Sequence, residues 1–299
     1  MKSILVLTDL SKNAAHAAES AAWLADQLHA GLVLWHCEPK IPVMPGYAGG
    51  AMIARAILGP DEGKEAVHDA LSKLKDHISG TGGKYKPQLS ARYCEGSLQE
   101  ELRKEIAGQA FEMIVIGAST DCAADHVFFG SDTWKVIETA NCPVLVVPPK
   151  AGLDQLSKIV FATDFEPEDL KAILYLEELS KTLDFQSEIV HVTLNGENDV
   201  GKIEKENAFS RQLVELKRPV SIKEIRGKEV VVRLNRLCVQ TRADLLGMTH
   251  HQYTFFKRLF SDSVAKKELA HQKIPLLVFP VYQKNHDRHC IWTFSIKNR

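Results

Sequence analysis

Ser3-Ile4-Leu5-Val6-Leu7-Thr8-Asp9 returns later in the chain as Lys158-Ile159-Val160-Phe161-Ala162-Thr163-Asp164, an apolar run of strand length closed by the same Thr-Asp pair. The echo continues in order. Val33-Leu34-Trp35-His36 is matched by Ile189-Val190-His191-Val192, and Tyr93 to Gly96 by Glu224-Ile225-Arg226-Gly227. Glu112 to Gly117 is matched by Ala243-Asp244-Leu245-Leu246-Gly247, and Cys142 to Pro148 by Ile274 to Pro280. A chain that repeats itself in this way builds one structural unit twice. Its 299 residues also exceed what one core usually holds, so two domains of about 150 residues are the default expectation. Asp164 follows Asp9 by 155 residues, but Gly247 follows Gly117 by only 130. About 25 residues of the first copy are therefore missing from the second, between its second and third strands.

The repeated unit reads as α/β. Ile4-Leu5-Val6-Leu7 is uninterrupted and apolar, which suits a strand buried on both faces of a parallel sheet. Ser11 is a good N-cap for a helix from about Lys12 to His29, whose stripe of Ala14, Ala17, Ala18, Ala21, Leu24, Ala25 and Leu28 lets it pack closely on a sheet. Leu32 to His36 is the next strand, so the order is a parallel βαβ unit. Residues 38 to 63 are rich in Pro and Gly and read as a long loop, either a cover over a site or a disordered insertion. A helix from about Lys64 to Ile78, a strand from Gln88 to Tyr93, and a helix from about Leu98 to Ala107 capped by Glu95-Gly96-Ser97 follow. The expectation is two tandem Rossmann-like domains, each with a five-stranded parallel sheet flanked by helices. They span residues 1–150 and 151–282, with a tail over 283–299.

Chemistry concentrates between Phe111 and Pro149. Met113-Ile114-Val115-Ile116 ends in Gly117, which delivers the backbone to the carboxyl edge of the sheet, where open α/β folds bind ligands. Gly130-Ser131 then opens a helix whose free N–H groups suit an anion such as phosphate. A loop with Gly117, Gly130 and Ser131, followed by Cys142-Pro143-Val144-Leu145-Val146-Val147, resembles the universal stress protein family. The family's nucleotide loop reads Gly, two residues, Gly, nine residues, Gly, then Ser or Thr, and Thr120 stands at its second glycine.

The resemblance implies an adenine-nucleotide site made by Asp9, Cys37, Gly117, Thr120, Gly130, Ser131 and Thr133. Asp9 would touch the adenine or ribose, and Cys37 would lie against the base. Asp9 also has a plainer role, helping to start the helix after it. A β-branched Thr120 restricts φ, and Asp132 puts a carboxylate beside the anion position, a repulsion that Mg2+ would offset. In the second copy Gly247 and Ser261 match while His250 and Phe260 replace the other two glycines, so that site is expected to be closed. The resemblance further implies dimerisation through final strands laid side by side. Here both such strands are in one chain, which suggests an intramolecular pseudo-dimer, with a homodimer of whole chains as a further option.

Other function classes find little support. Thirty-seven basic and 38 acidic residues leave a net charge of −1, which argues for neither nucleic acid nor an anionic membrane. No run reaches the roughly 18 apolar residues of a membrane span, and the N-terminus does not read as a signal peptide, so the expected location is cytoplasmic. Six cysteines are scattered without a C-x-x-C pair. Gly59-Pro60-Asp61-Glu62-Gly63-Lys64 has too few residues between its glycines for a phosphate loop, and His286-x-x-His289-Cys290 lacks a fourth zinc ligand. The functional expectation is a stress-response regulator whose N-terminal half binds ATP or another adenine nucleotide without rapid turnover, not an enzyme. The alternative is an interaction module that binds no nucleotide and acts through protein partners.

Overall fold

The β-branched runs of the sequence become the inner strands of one sheet. A computed structural model describes residues 2–40, 50–80, 86–121, 126–128, 131–194, 200–215, 221–250 and 274–281. The first half builds β1 (Ser3–Leu7), α1 (Lys12–Leu28), β2 (Gly31–Glu38), α2 (Gly50–Gly80), β3 (Leu89–Glu95), α3 (Leu98–Gly108) and β4 (Met113–Gly117). Two short strands, β5 (Ser119–Asp121) and β6 (His126–Phe128), precede α4 (Ser131–Thr139) and β7 (Val144–Val147). The second half builds β8 (Lys158–Ala162), α5 (Pro167–Leu183), β9 (Gln186–Leu194), α6 (Val200–Glu215), β10 (Ile222–Gly227), α7 (Val230–Thr241), β11 (Leu245–Thr249) and β12 (Leu276–Phe279).

Ten of these strands form a single sheet in the order β10-β9-β8-β11-β12-β7-β4-β1-β2-β3. Within each half all neighbours are parallel, and the halves meet through antiparallel pairing of β7 with β12. Ile114 pairs with Val144 and Leu246 with Leu276, so these strands are related by an offset of 132. Across the junction Leu145 lies opposite Leu277, its own counterpart, flanked by Val144 with Val278 and Val146 with Leu276. That register is self-complementary, as in a twofold dimer interface, and it is the expected intramolecular pairing.

Alternation along each strand sends side chains to two separate cores. Ile4 and Val6 face the layer built from α1, α2, α5 and α6, while Leu5 and Leu7 face the layer of α3, α4 and α7. The buried alanines of α1 (14, 17, 18, 21, 22 and 25) bring that helix close to the sheet. Ser11 accepts the expected capping bond from the Ala14 N–H at 3.2 Å. Ser97 sits at the N-cap of α3 but makes no side-chain cap bond.

Three expectations need correction. The Pro/Gly stretch is not loop throughout: β2 runs to Glu38 and α2 begins at Gly50, with Gly59-Pro60 inside it. Ala51 to Leu58 is a run of strong helix formers, and a proline there removes one backbone bond without ending the helix. Residues 41–49 lie outside the described set, as do 251–273 and the tail from 282. Secondly, the segment after β4 is not simply a glycine-flanked loop: Thr120 pairs with Val127 in the antiparallel β5–β6 hairpin, as the β-branched residues favour.

The third correction concerns the alignment of the copies. Ile4 pairs with Leu32 and its counterpart Ile159 with Ser187, so His36 corresponds to His191 and Cys37 to Val192, one residue off the sequence match. Gly247 is displaced as well. Ile4 pairs with Met113, and its counterpart Ile159 pairs with Leu245, so Gly247 corresponds to Val115 and Thr249 to Gly117. Gly247 is small because Phe161 lies beside it: a Cβ there would sit 3.0 Å from the Phe161 ring. In the first half the same adjacent positions hold Val6 and Val115. Two medium side chains have been exchanged for one large and one absent, which conserves core volume.

Candidate functional site

In each half the connection through the first helix and the connection into the fourth strand pass on opposite faces of the sheet. The carboxyl ends of β1 and β4 therefore bound a crevice at a topological switch point, the usual ligand position of open α/β sheets. Asp9 follows β1, Gly117 ends β4, Cys37 is near the end of β2, and Ser131 begins α4, all on that edge. Thr133 is buried in the first turn of α4. Thr120 belongs to the hairpin, and Gly130 lies outside the described residues.

Asp9 is exposed, and its Oδ1 accepts the Ser11 N–H at 2.9 Å, which is the plainer helix-starting role. The turn is held by Leu10 at φ 64°, whose N–H donates to Thr8 Oγ1 at 3.0 Å. His36 Nδ1 lies 2.6 Å from the Thr8 carbonyl. A carbonyl only accepts, so Nδ1 carries the proton. Gly117 is required by close approach: a Cβ would come within 2.8 Å of the Asn13 carbonyl oxygen in α1. Asp132 is engaged by Lys135 Nζ at 2.8 Å.

Acidic groups surround the mouth. Burial chiefly pushes the Cys37 thiol up, and the carboxylates of Glu101, Asp132 and Glu38 add to it. Such a field opposes an anion that arrives without a counter-cation. Among the described residues no group of three or more His, Cys, Asp or Glu is arranged to hold a metal.

The second half repeats the turn but sets different side chains beside it. Phe165 has φ 64° and donates to Thr163 Oγ1 at 3.0 Å, and His191 Nδ1 lies 2.7 Å from the Thr163 carbonyl. The counterpart of Ala14, however, is Asp169, which is 0% exposed. Its carboxylate accepts from Thr163 Oγ1 at 2.7 Å, Asp164 N at 2.9 Å, Glu166 N at 3.3 Å and Thr249 Oγ1. Burial pushes the Asp169 carboxyl up, against the pull of those donors. Thr249 stands where the first half has Gly117. The Ala14–Gly117 contact has thus become a buried hydroxyl–carboxylate bond, and the helix N-terminus is supplied with an anion of its own.

Sequence reading missed Asp169 and Thr249, although Glu166-Pro167-Glu168-Asp169 carries an acid at the third helical position, a capping signature. It also missed Cys94, which the β2–β3 register puts beside Cys37.

Comparison with known proteins agrees with this architecture. A sequence model of the universal stress protein family matches residues 1–148 and 156–280. A universal stress protein of Thermus aquaticus is 31% identical over 146 residues, covering 49% of this chain and 98% of that protein. One from Methanocaldococcus jannaschii is 27% identical over 146 residues, covering 49% and 81%. Among solved structures, a universal stress protein from Archaeoglobus fulgidus superimposes with a TM-score of 0.68 at 14% identity, covering 93% of this chain and 98% of its own. Its likeness spans both halves and their shared sheet.

Proposed function

The chain belongs to the universal stress protein family, and from that premise we propose that its N-terminal half binds ATP or another adenine nucleotide, with Mg2+, as a regulatory ligand in a stress response. The observation that carries this reading is the difference between the two switch-point crevices. At the second, Asp169 and Thr249 bond a buried carboxylate to a hydroxyl, whereas the matched positions of the first are Ala14 and Gly117, which carry no polar side chain. Asp9 and Cys37 lie at the carboxyl ends of β1 and β2, where they would meet the sugar and base, and Ser131 and Thr133 stand at the start of α4, where phosphates would meet the helix. No general base for water is evident among these groups, so any hydrolysis would be slow and the proposed role is that of a bound regulatory ligand. Among the described residues no helix is long and apolar enough to cross a membrane, and a cytoplasmic setting is part of the proposal.

A second reading, an interaction module without nucleotide, draws on the β5–β6 hairpin, which takes the place of the family's flexible glycine loop. Titration of a fluorescent ATP analogue with Mg2+ against the wild type and Gly130→Trp separates the two. Saturable binding that the substitution abolishes supports the first. Absence of binding up to millimolar concentration supports the second.

A further inference from the structure

Cys37 and Cys94 are directly opposite each other on the parallel strands β2 and β3. Their side chains lie against the same core layer, and both are only half-buried. The two thiols lie within reach of each other, and the Cys37 thiol makes a long contact of 3.9 Å with the Gly96 carbonyl. Neighbouring strands run about 4.8 Å apart, inside the roughly 4.4–6.8 Å Cα separation that a disulfide accepts. β3 is the outermost strand of its half, so the small closure a disulfide adds displaces an edge and not the sheet centre. The second half offers an internal comparison, since the matched positions are Val192 and Ile225, which pair in the same register. At these matched positions the thiol pair belongs to the first half and an aliphatic pair to the second.

We propose that Cys37 and Cys94 form a modification site, a dithiol that a hydroperoxide closes to an intramolecular disulfide. The Cys37 thiolate attacks the peroxide and becomes a sulfenic acid, releasing hydroxide. The Cys94 sulfur then attacks that sulfenic sulfur, and the hydroxyl leaves as water with the Cys94 proton. In total two thiols and one hydrogen peroxide give one disulfide and two waters. Burial and the nearby carboxylates hold both thiols protonated at neutral pH, so the site responds to strong or sustained oxidant and not to trace peroxide. The proposal stands whether or not nucleotide binds.

The full-length reduced protein is exposed to hydrogen peroxide at pH 7, 8 and 9, its free thiols are capped with N-ethylmaleimide, and its peptides are mapped by mass spectrometry without reduction. The expected product is one peptide pair joined through Cys37 and Cys94, reopened by dithiothreitol, with a formation rate that rises roughly tenfold per pH unit as thiolate accumulates. Cys94→Ile, the residue of the matched second-half position, should abolish the linkage and leave Cys37 as sulfenic or sulfinic acid. Failure to find the Cys37–Cys94 peptide at pH 9, or disulfides that join only other cysteines or separate chains, would overturn it.

Discussion

The two halves share a backbone to the level of individual turns but differ in what occupies the crevice that the backbone makes. Leu10 and Phe165 adopt the same left-handed turn, and His36 and His191 brace the same threonine carbonyl. Yet the first half packs glycine on alanine where the second bonds threonine to a buried aspartate. A fold can thus be conserved through hydrogen bonds of the main chain while its ligand edge changes through two side chains. The cost of the exchange falls on the second half, which must bury a carboxylate and satisfy it with four donors.

The strongest test of that contrast is Asp169→Ala, which imports the first-half residue and strands two hydroxyls and two N–H groups. It should cost about 3–5 kcal/mol in urea unfolding, and addition of Thr249→Gly should return part of it through coupling. A cost below about 1 kcal/mol would show that the network does not hold the second half together. Where the halves have not diverged, equal effects are expected. Leu145→Ala and Leu277→Ala, at the centre of the junction, should each destabilise by about 2–4 kcal/mol, and unequal values would break the twofold description.

Glycines sharpen the comparison further. Gly117→Ala drives a methyl against the Asn13 backbone and should cost about 2–3 kcal/mol, whereas at Gly247 the obstacle is the Phe161 ring. Gly247→Ala should therefore be milder, about 1–2 kcal/mol, and Phe161→Val should rescue it. Equal penalties with no rescue would undo the volume-exchange account.

The smallest expected effect is electrostatic. Lys158, and then Lys223, hold the Glu188 carboxyl below its ordinary value of 4.5, where the first half has Val33. A folded-state value below the unfolded one contributes stability above pH 4.5 that is lost as pH falls through the lowered value. Glu188→Gln should remove about 0.5–1 kcal/mol at pH 7 and flatten the acid limb of the stability profile. An unchanged acid limb would assign that limb to other carboxylates.

Much of this architecture was legible in the residues. Unbroken β-branched runs, the Thr-Asp ends and the duplicated Pro-initiated strands at Pro143 and Pro275 fixed the order of elements and the junction between the copies. Three points were not legible. Gly247 drew the alignment of the fourth strands two residues off, because glycine serves a turn at one position and a bulky neighbour at another, and only the register tells them apart. Residues 50 to 63 read as loop because the helix formers before Pro60 were weighed less than the prolines and glycines around them. Asp169 went unnoticed because burial of an acid depends on donors from Thr163 and Thr249, the latter 80 residues away.

The antiparallel seam between β7 and β12 means that the first crevice opens at one end of the sheet and the second at the other. In an assembly of identical subunits every substitution appears in both crevices at once, so neither can be given up without the other. Covalent fusion of the copies removes that tie: the residues at one end become free to change while those at the opposite end stay as they were, and assembly of the pair ceases to depend on protein concentration.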